Sequence, residues 1–263
     1  MGWLQAFFPN DQHPDHHKPL DGLRGLAVLL VVFGHGNNHG LGPFGDHSLF
    51  IRGKLGVYLF FVLSAYLLDR QIIKMFQQER AAWDYWLYYI SRRILRIFPL
   101  FFLALVVFRL ANASGLKVVI YEWQEVWQHL ALQRGDYIFW SIPVEFKYYL
   151  ISPILLFIFH RVFRWNVYAV VITLLSVMVG SHLFVLWWNP LGTGTLWFLN
   201  IFLLGTLVAF IERLHPKLWN TLTQSRFTTY IGWAVLLIFS VWSWKAENYT
   251  NIGTFVPAAA LWS

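Results

Sequence analysis

The residues best suited to chemistry in this chain sit where charge is expensive. His35 falls deep inside an apolar run, and Arg24 stands at its entrance. An ionisable side chain within a membrane-spanning stretch is costly, and its default reading is functional. The spacing is Arg-x10-His. Eleven steps of about 100° return a helix to nearly the same face, so the two residues share a side, about 16 Å apart along the axis. Gly34 and Gly36 flank His35 and permit close approach of a partner helix or a substrate. Residue type alone fits equally well a core histidine bonded to a neighbouring helix.

Two further constellations stand out. In Ser91-Arg92-Arg93-Ile94-Leu95-Arg96-Ile97-Phe98-Pro99, Arg93 and Arg96 are three apart and fall on one helical face. Paired guanidinium groups can clamp phosphates; the same pair can simply anchor a span at lipid headgroups. In Trp140-Ser141-Ile142-Pro143-Val144-Glu145-Phe146-Lys147, Glu145 lies about 10 Å into a span at 1.5 Å per residue. His35 is expected at a similar depth. A buried carboxylate beside a histidine would orient its ring and raise its basicity; the alternative is a structural ion pair. Glu145 and Lys147 are two apart, point to different faces and pair poorly.

Weaker signals stay weak. His35 and His39 have metal-pair spacing, but no third ligand is evident, and no metal is expected. Asn112-Ala113-Ser114 and Asn248-Tyr249-Thr250 match the glycosylation sequon, a three-residue pattern common by chance.

What must position these residues is a membrane body. Of 263 residues, 57% are hydrophobic and 13% charged, about half the charge of an ordinary soluble domain. Mean hydropathy is +0.50, and 15 Trp and 24 Phe suit aromatic belts at membrane interfaces. The fold class is all-α: a polytopic transmembrane helical bundle. A span needs about 20 mainly apolar residues. Seven candidates follow: Leu23–Gly40, Leu55–Ile73, Ile94–Ala113, Ile138–His160, Val167–Trp188, Thr195–Ile211 and Thr229–Lys245. Val118–Leu132, with Trp123 and Trp127 four apart, reads as an interfacial amphipathic helix. Ile252–Trp262 is a partial eighth span, about half the needed length, so the chain reads as truncated at its C-terminus.

Residues 1–19 form a polar N-terminal segment with no signal-peptide pattern. Ala6 stands where a myristoylation site needs Ser or Thr. Residues 20–263 form the transmembrane domain. With these spans, roughly two-thirds of the Lys and Arg lie on the side of the N-terminus, which places it in the cytoplasm of a cell's plasma or inner membrane. That distribution also accounts for the +7 net charge without nucleic acid as a partner. The absence of Cys excludes disulfides, thiolate metal sites and a cysteine acyl-enzyme.

Four stretches, in order, resemble the acyltransferase 3 family of membrane acyltransferases. They are Leu20–Ala27 followed by His35, Gly56–Leu67, Arg92–Leu100 with its Arg-x-x-Arg, and Trp140–Glu145. The resemblance covers most of residues 20–155; beyond about residue 160 only hydropathy agrees. It implies transfer of an acyl group, often acetyl, from acyl-CoA to a hydroxyl of a carbohydrate or lipid-linked glycan. It also implies that His35 is the essential histidine, acting as general base, with Arg24 its companion and Arg93 and Arg96 the Arg-x-x-Arg. The candidate catalytic residues are thus His35 and Glu145, and the candidate donor-binding residues Arg24, Arg93 and Arg96.

Two departures accompany the match. Ala65 stands where the family usually has Gly, and the family typically has about ten spans. The rival readings are a proton-coupled transporter or flippase-like protein using His35 and Glu145, and an inactive fragment of an acyltransferase.

Overall fold

The computed structural model describes residues 18–38, 48–79, 83–115, 120–188 and 195–226, together with Tyr230. Among these, all regular structure is helical. The helices are α1 (Lys18–Asn38), α2 (Ser48–Gln77), α3 (Trp83–Ala113), α4 (Trp123–Leu130), α5 (Ser141–Arg161), α6 (Val167–Trp188), α7 (Thr195–Leu214) and α8 (Pro216–Gln224). Six stretches, Pro19–Gly36, Gly53–Gln77, Trp83–Ala113, Tyr137–Arg161, Val167–Val185 and Thr195–Leu214, are long and apolar enough to cross a membrane. They match the first six expected spans. Apart from Tyr230, the expected seventh span lies outside the described residues, as do His39, Ile252–Trp262 and residues 1–17.

Large apolar side chains cover the outside of these helices. On α6, Tyr168, Ile172, Leu175, Val179 and Leu183 are exposed at steps of three and four. Val170, Leu174 and Val185 are buried on the other side. A helix apolar all round belongs in a core or a bilayer, and an exposed apolar stripe of this length faces lipid. The chain is an integral membrane protein.

It divides into two compact units, residues 1–63 and 64–263, with the boundary inside α2. In the first unit, α1 packs on the start of α2 through glycines. A Cβ on Gly56 would lie 2.5 Å from the Ala27 carbonyl oxygen and 2.8 Å from Val31 Cγ2. One on Gly53 would lie 3.1 Å from Gly34 Cα. As the α2 number falls the α1 number rises, so the helices are antiparallel and their backbones nearly touch. Gly34 therefore serves the helix approach expected of it, whereas Gly36 has open space beside it.

In the second unit the centre is formed by the end of α2 with α5 and α7. Leu68, Ile72, Ile73, Leu156, Phe159, Phe202 and Phe210 are fully enclosed there. Side-chain contacts fix the helix directions. Trp140 meets Phe198 and Tyr148 stacks on Phe202, so α5 and α7 run parallel. Phe98 meets Phe146 while Phe108 meets Phe139, so α3 opposes the chain entering α5. This alternation is what consecutive membrane crossings require. The start of α3 and the ends of α2, α5 and α7 thus share one end of the unit, which carries Lys74, Arg92, Arg93, Arg96, Arg161 and Arg213.

Two expected boundaries move. The third span does not open near Ile94: α3 starts at Trp83, and its 31 residues make a rod of about 46 Å at 1.5 Å per residue. That exceeds a hydrocarbon core of about 30 Å, so the tyrosine-rich first turns extend the helix beyond the apolar run that hydropathy detects. The interfacial element shortens to α4, which Glu122 and Glu125 begin with a capping box. Val126 turns inward with Ile120, onto Phe101, Leu105 and Phe139, while Trp123 and Trp127 stay exposed. The ring of His129 is fully buried. Its Nδ1 lies 2.7 Å from the Glu125 carbonyl oxygen, and its Nε2 accepts the Asp136 backbone N–H at 3.2 Å. That arrangement ties the returning loop to α4.

Candidate active site

Glu145 is in the second turn of α5, half-buried, with its carboxylate facing α2. Ser64 of α2 donates a hydrogen bond to Glu145 Oε1 at 2.6 Å. Tyr149, one turn further along α5, donates its hydroxyl to the same oxygen. Lys147 is exposed, as expected for a residue on a different face.

The tyrosine carries the chain of contacts to α3. The Arg93 guanidinium lies over the Tyr149 ring, 5.1 Å from its centroid, and over Tyr89 at 5.8 Å. Such placement is a cation–π contact. Tyr89 in turn donates its hydroxyl to the Tyr149 backbone carbonyl at 2.9 Å. Arg93, Tyr149, Glu145 and Ser64 thus form one polar path across α3, α5 and α2. Arg93 is held by ring faces, which leaves its N–H edge for another acceptor. Of its neighbours, Arg92 turns to Tyr88 of its own helix, 3.0 Å from the hydroxyl, and Arg96 is exposed.

Arg24 and His35 belong to the first unit. Arg24 pairs with Asp21 at 3.2 Å in the first turns of α1. His35 is exposed on the last turn of α1, next to the buried Gly34 that meets Gly53. Among the described residues no group of three His, Cys, Asp or Glu side chains could hold a metal ion.

Ser64, Tyr89 and Tyr149 are common residue types that no spacing signature marks in the sequence. Two carboxylates in apolar helices are different, because hydropathy flags them. Glu212, near the end of α7, accepts from Tyr66 at 2.7 Å and pairs with Arg70 at 3.2 Å. Asp69 lies in the second span with no exposed surface. A lone acid in an apolar span is itself a signal.

The model of a family described as an acyltransferase domain matches residues 18–262. The candidate acetyltransferase ORF330 of Acidianus two-tailed virus is 29% identical over 221 residues, covering 78% of this chain and 61% of that protein. The O-acetyltransferase OatA of Staphylococcus aureus is 27% identical over 225 residues, covering 75% of this chain and 35% of that protein. This chain therefore spans less than two-thirds of the length of either relative. No solved structure matches it.

Proposed function

Because the chain belongs to the acyltransferase 3 family, we propose that it is a membrane O-acyltransferase. It would move an acyl group, acetyl in the simplest case, from acyl-CoA to a hydroxyl of a carbohydrate or lipid-linked glycan. The OatA relatives, named for O-acetyl transfer, support the reaction type.

The observation that carries this reading is the path from Arg93 to Glu145. It puts an arginine suited to phosphate and a half-buried carboxylate on one ordered set of side chains. Coenzyme A brings phosphates, which guanidinium groups bind in a bidentate fashion. Arg93, Arg96 and Arg24 are the residues we assign to the donor. The basic end of the second unit would face the cytoplasm, where acyl-CoA is available, and the N-terminus would lie on the same side.

In the reaction, the acceptor hydroxyl gives its proton to the His35 imidazole as its oxygen bonds to the thioester carbonyl carbon. The tetrahedral intermediate collapses with cleavage of the carbon–sulfur bond, and the departing thiolate takes the proton back from the imidazolium. Glu145 is the second residue assigned to the chemistry; Ser64 and Tyr149 hold its carboxylate in place.

The test uses the full chain in detergent with acetyl-CoA. Binding is expected in the parent and lost in Arg93→Ala/Arg96→Ala. In membranes that support acetyl transfer, His35→Ala is expected to insert normally and transfer nothing. Undiminished transfer by that variant would overturn the mechanism. Binding that ignores both arginines would overturn the donor site.

A further inference from the structure

Asp69 has no exposed surface and, among the described residues, no basic partner in its polar contacts, yet both carboxyl oxygens are engaged. Ser152 Oγ donates to Oδ1, and the Tyr148 hydroxyl contacts Oδ2 at 2.7 Å. The Tyr148 oxygen also lies 2.7 Å from Thr206 Oγ1, which reaches the Phe202 backbone carbonyl at 3.2 Å. Asp69, Tyr148, Ser152 and Thr206 are all fully buried, and the Tyr148 ring stacks on Phe202 at 4.2 Å. Three helices, α2, α5 and α7, meet at this knot.

Its position on each helix matters more than its polarity. On α2, Asp69 follows Ser64 by five residues; on α5, Tyr148 and Ser152 follow Glu145 by three and seven. Both contacts advance together, so α2 and α5 run parallel with two polar rungs between them: Ser64–Glu145 and Asp69–Ser152. The buried neighbours in sequence, Leu68, Ile72, Leu156 and Phe202, are apolar and add no directional side-chain bond of their own. A shift of one residue, about 1.5 Å along the axis with about 100° of rotation, would break both hydroxyl contacts to Asp69 and strand a buried carboxyl group without partners. Tyr148 and Tyr149 are consecutive and point about 100° apart on the helix; the first binds Asp69 and the second binds Glu145. Across the helix pair, Glu145 meets Ser64 while Tyr148, three residues on, meets Asp69, so the two contacts fix rotation of α5 as well as its height.

We propose that Asp69 is a positioning residue, whose knot with Tyr148, Ser152 and Thr206 sets the register of α2 against α5 that presents Glu145 to Ser64. The catalytic consequence rests on the assignment of Glu145 under the proposed function; the register itself does not.

The chain has no cysteine, so engineered pairs report register cleanly. Ser64→Cys/Glu145→Cys reports α2 against α5 when treated with a short bifunctional thiol reagent. Ser181→Cys/Asn200→Cys reports the α6–α7 contact, a hydrogen bond of 2.9 Å, and serves as the folding control. Asp69→Leu is expected to lose the 64/145 cross-link and keep the 181/200 one. Asp69→Asn, which retains an acceptor for Ser152 and offers an N–H to Tyr148, is expected to keep both. If Asp69→Leu loses both, Tyr148→Phe takes its place, since it deletes one hydroxyl from a stacked ring; it is expected to weaken only the 64/145 link. With Glu145 and Ser64 intact, Asp69→Leu is expected to lower kcat for acetyl transfer about tenfold or more, with KM for acetyl-CoA unchanged and Asp69→Asn restoring the rate. Full 64/145 cross-linking in both Asp69→Leu and Tyr148→Phe would overturn the proposal. A parent chain that transfers no acetyl would sink the functional reading instead, while the cross-links would still decide the register.

Discussion

Ser64 and Glu145 are 81 positions apart in the chain and joined by a hydrogen bond of 2.6 Å. The bond links α2 to α5 and leaves Glu145 Oε1 accepting from two hydroxyls, one from each helix. Removing the Ser64 donor by Ser64→Ala is expected to lower stability by about 1 kcal/mol, the usual net worth of such a bond. Ser64→Thr keeps the hydroxyl and should recover most of it. Thermal unfolding of the purified chain in detergent measures both. Equal stability of all three forms would show that the bond does not hold the helices.

Arg93 and Arg96 share a motif but not an environment. Arg93 lies over two tyrosine rings and Arg96 is exposed. Lysine keeps the charge but neither stacks nor forks as guanidinium does. Arg93→Lys is therefore expected to weaken acetyl-CoA binding about tenfold, or 1.4 kcal/mol, and Arg96→Lys by less. Calorimetric titration of both variants decides the order, and a larger loss at Arg96 would contradict the placement.

The α1–α2 seam has no space for a side chain at Gly56, where a Cβ would meet a backbone carbonyl at 2.5 Å. Gly56→Val is expected to destabilise the chain by about 1–3 kcal/mol through overpacking. Gly36→Ala, with open space beside it, is expected to cost far less. A fall in the thermal midpoint confined to Gly56→Val is the expected result; matched falls would argue against the seam.

Glu125 sits outside the membrane-spanning segments. Burial opposes its ionisation, but the backbone N–H groups of Tyr121 and Glu122 and the Arg134 guanidinium, 2.8 Å away, outweigh it and hold the carboxyl below its ordinary value. A carboxylate with a depressed folded-state pKa contributes stability above its unfolded value and loses it as pH falls through the folded one. The α4 segment is therefore expected to loosen on acidification below the ordinary carboxylate range. Glu125→Gln should remove that dependence. Hydrogen exchange over residues 120–140 across acidic pH reads the effect; an identical pH response in Glu125→Gln would rule it out.

The first six spans, the amphipathic α4 and the stretches shared with the family were legible in the sequence, because each depends on local pattern: apolar run length, Trp spacing and short motifs. Helix ends were less so. The tyrosines and charges of Trp83–Arg92 interrupt hydropathy without interrupting hydrogen bonding along the backbone, so α3 starts earlier than its apolar run.

Sequence alone also determined which residue types could do chemistry: His35, Glu145, Arg24, Arg93 and Arg96. Tertiary structure decided how the residues of the second unit are used. It turned Arg93 onto Tyr149, gave Glu145 its two hydroxyl donors and enclosed Asp69 among Tyr148, Ser152 and Thr206. None of these partners is separable by pattern from other serines and tyrosines in apolar helices. A periodicity reports which face a residue occupies. Which helix meets that face, and at what height, is set by packing between segments far apart in the chain.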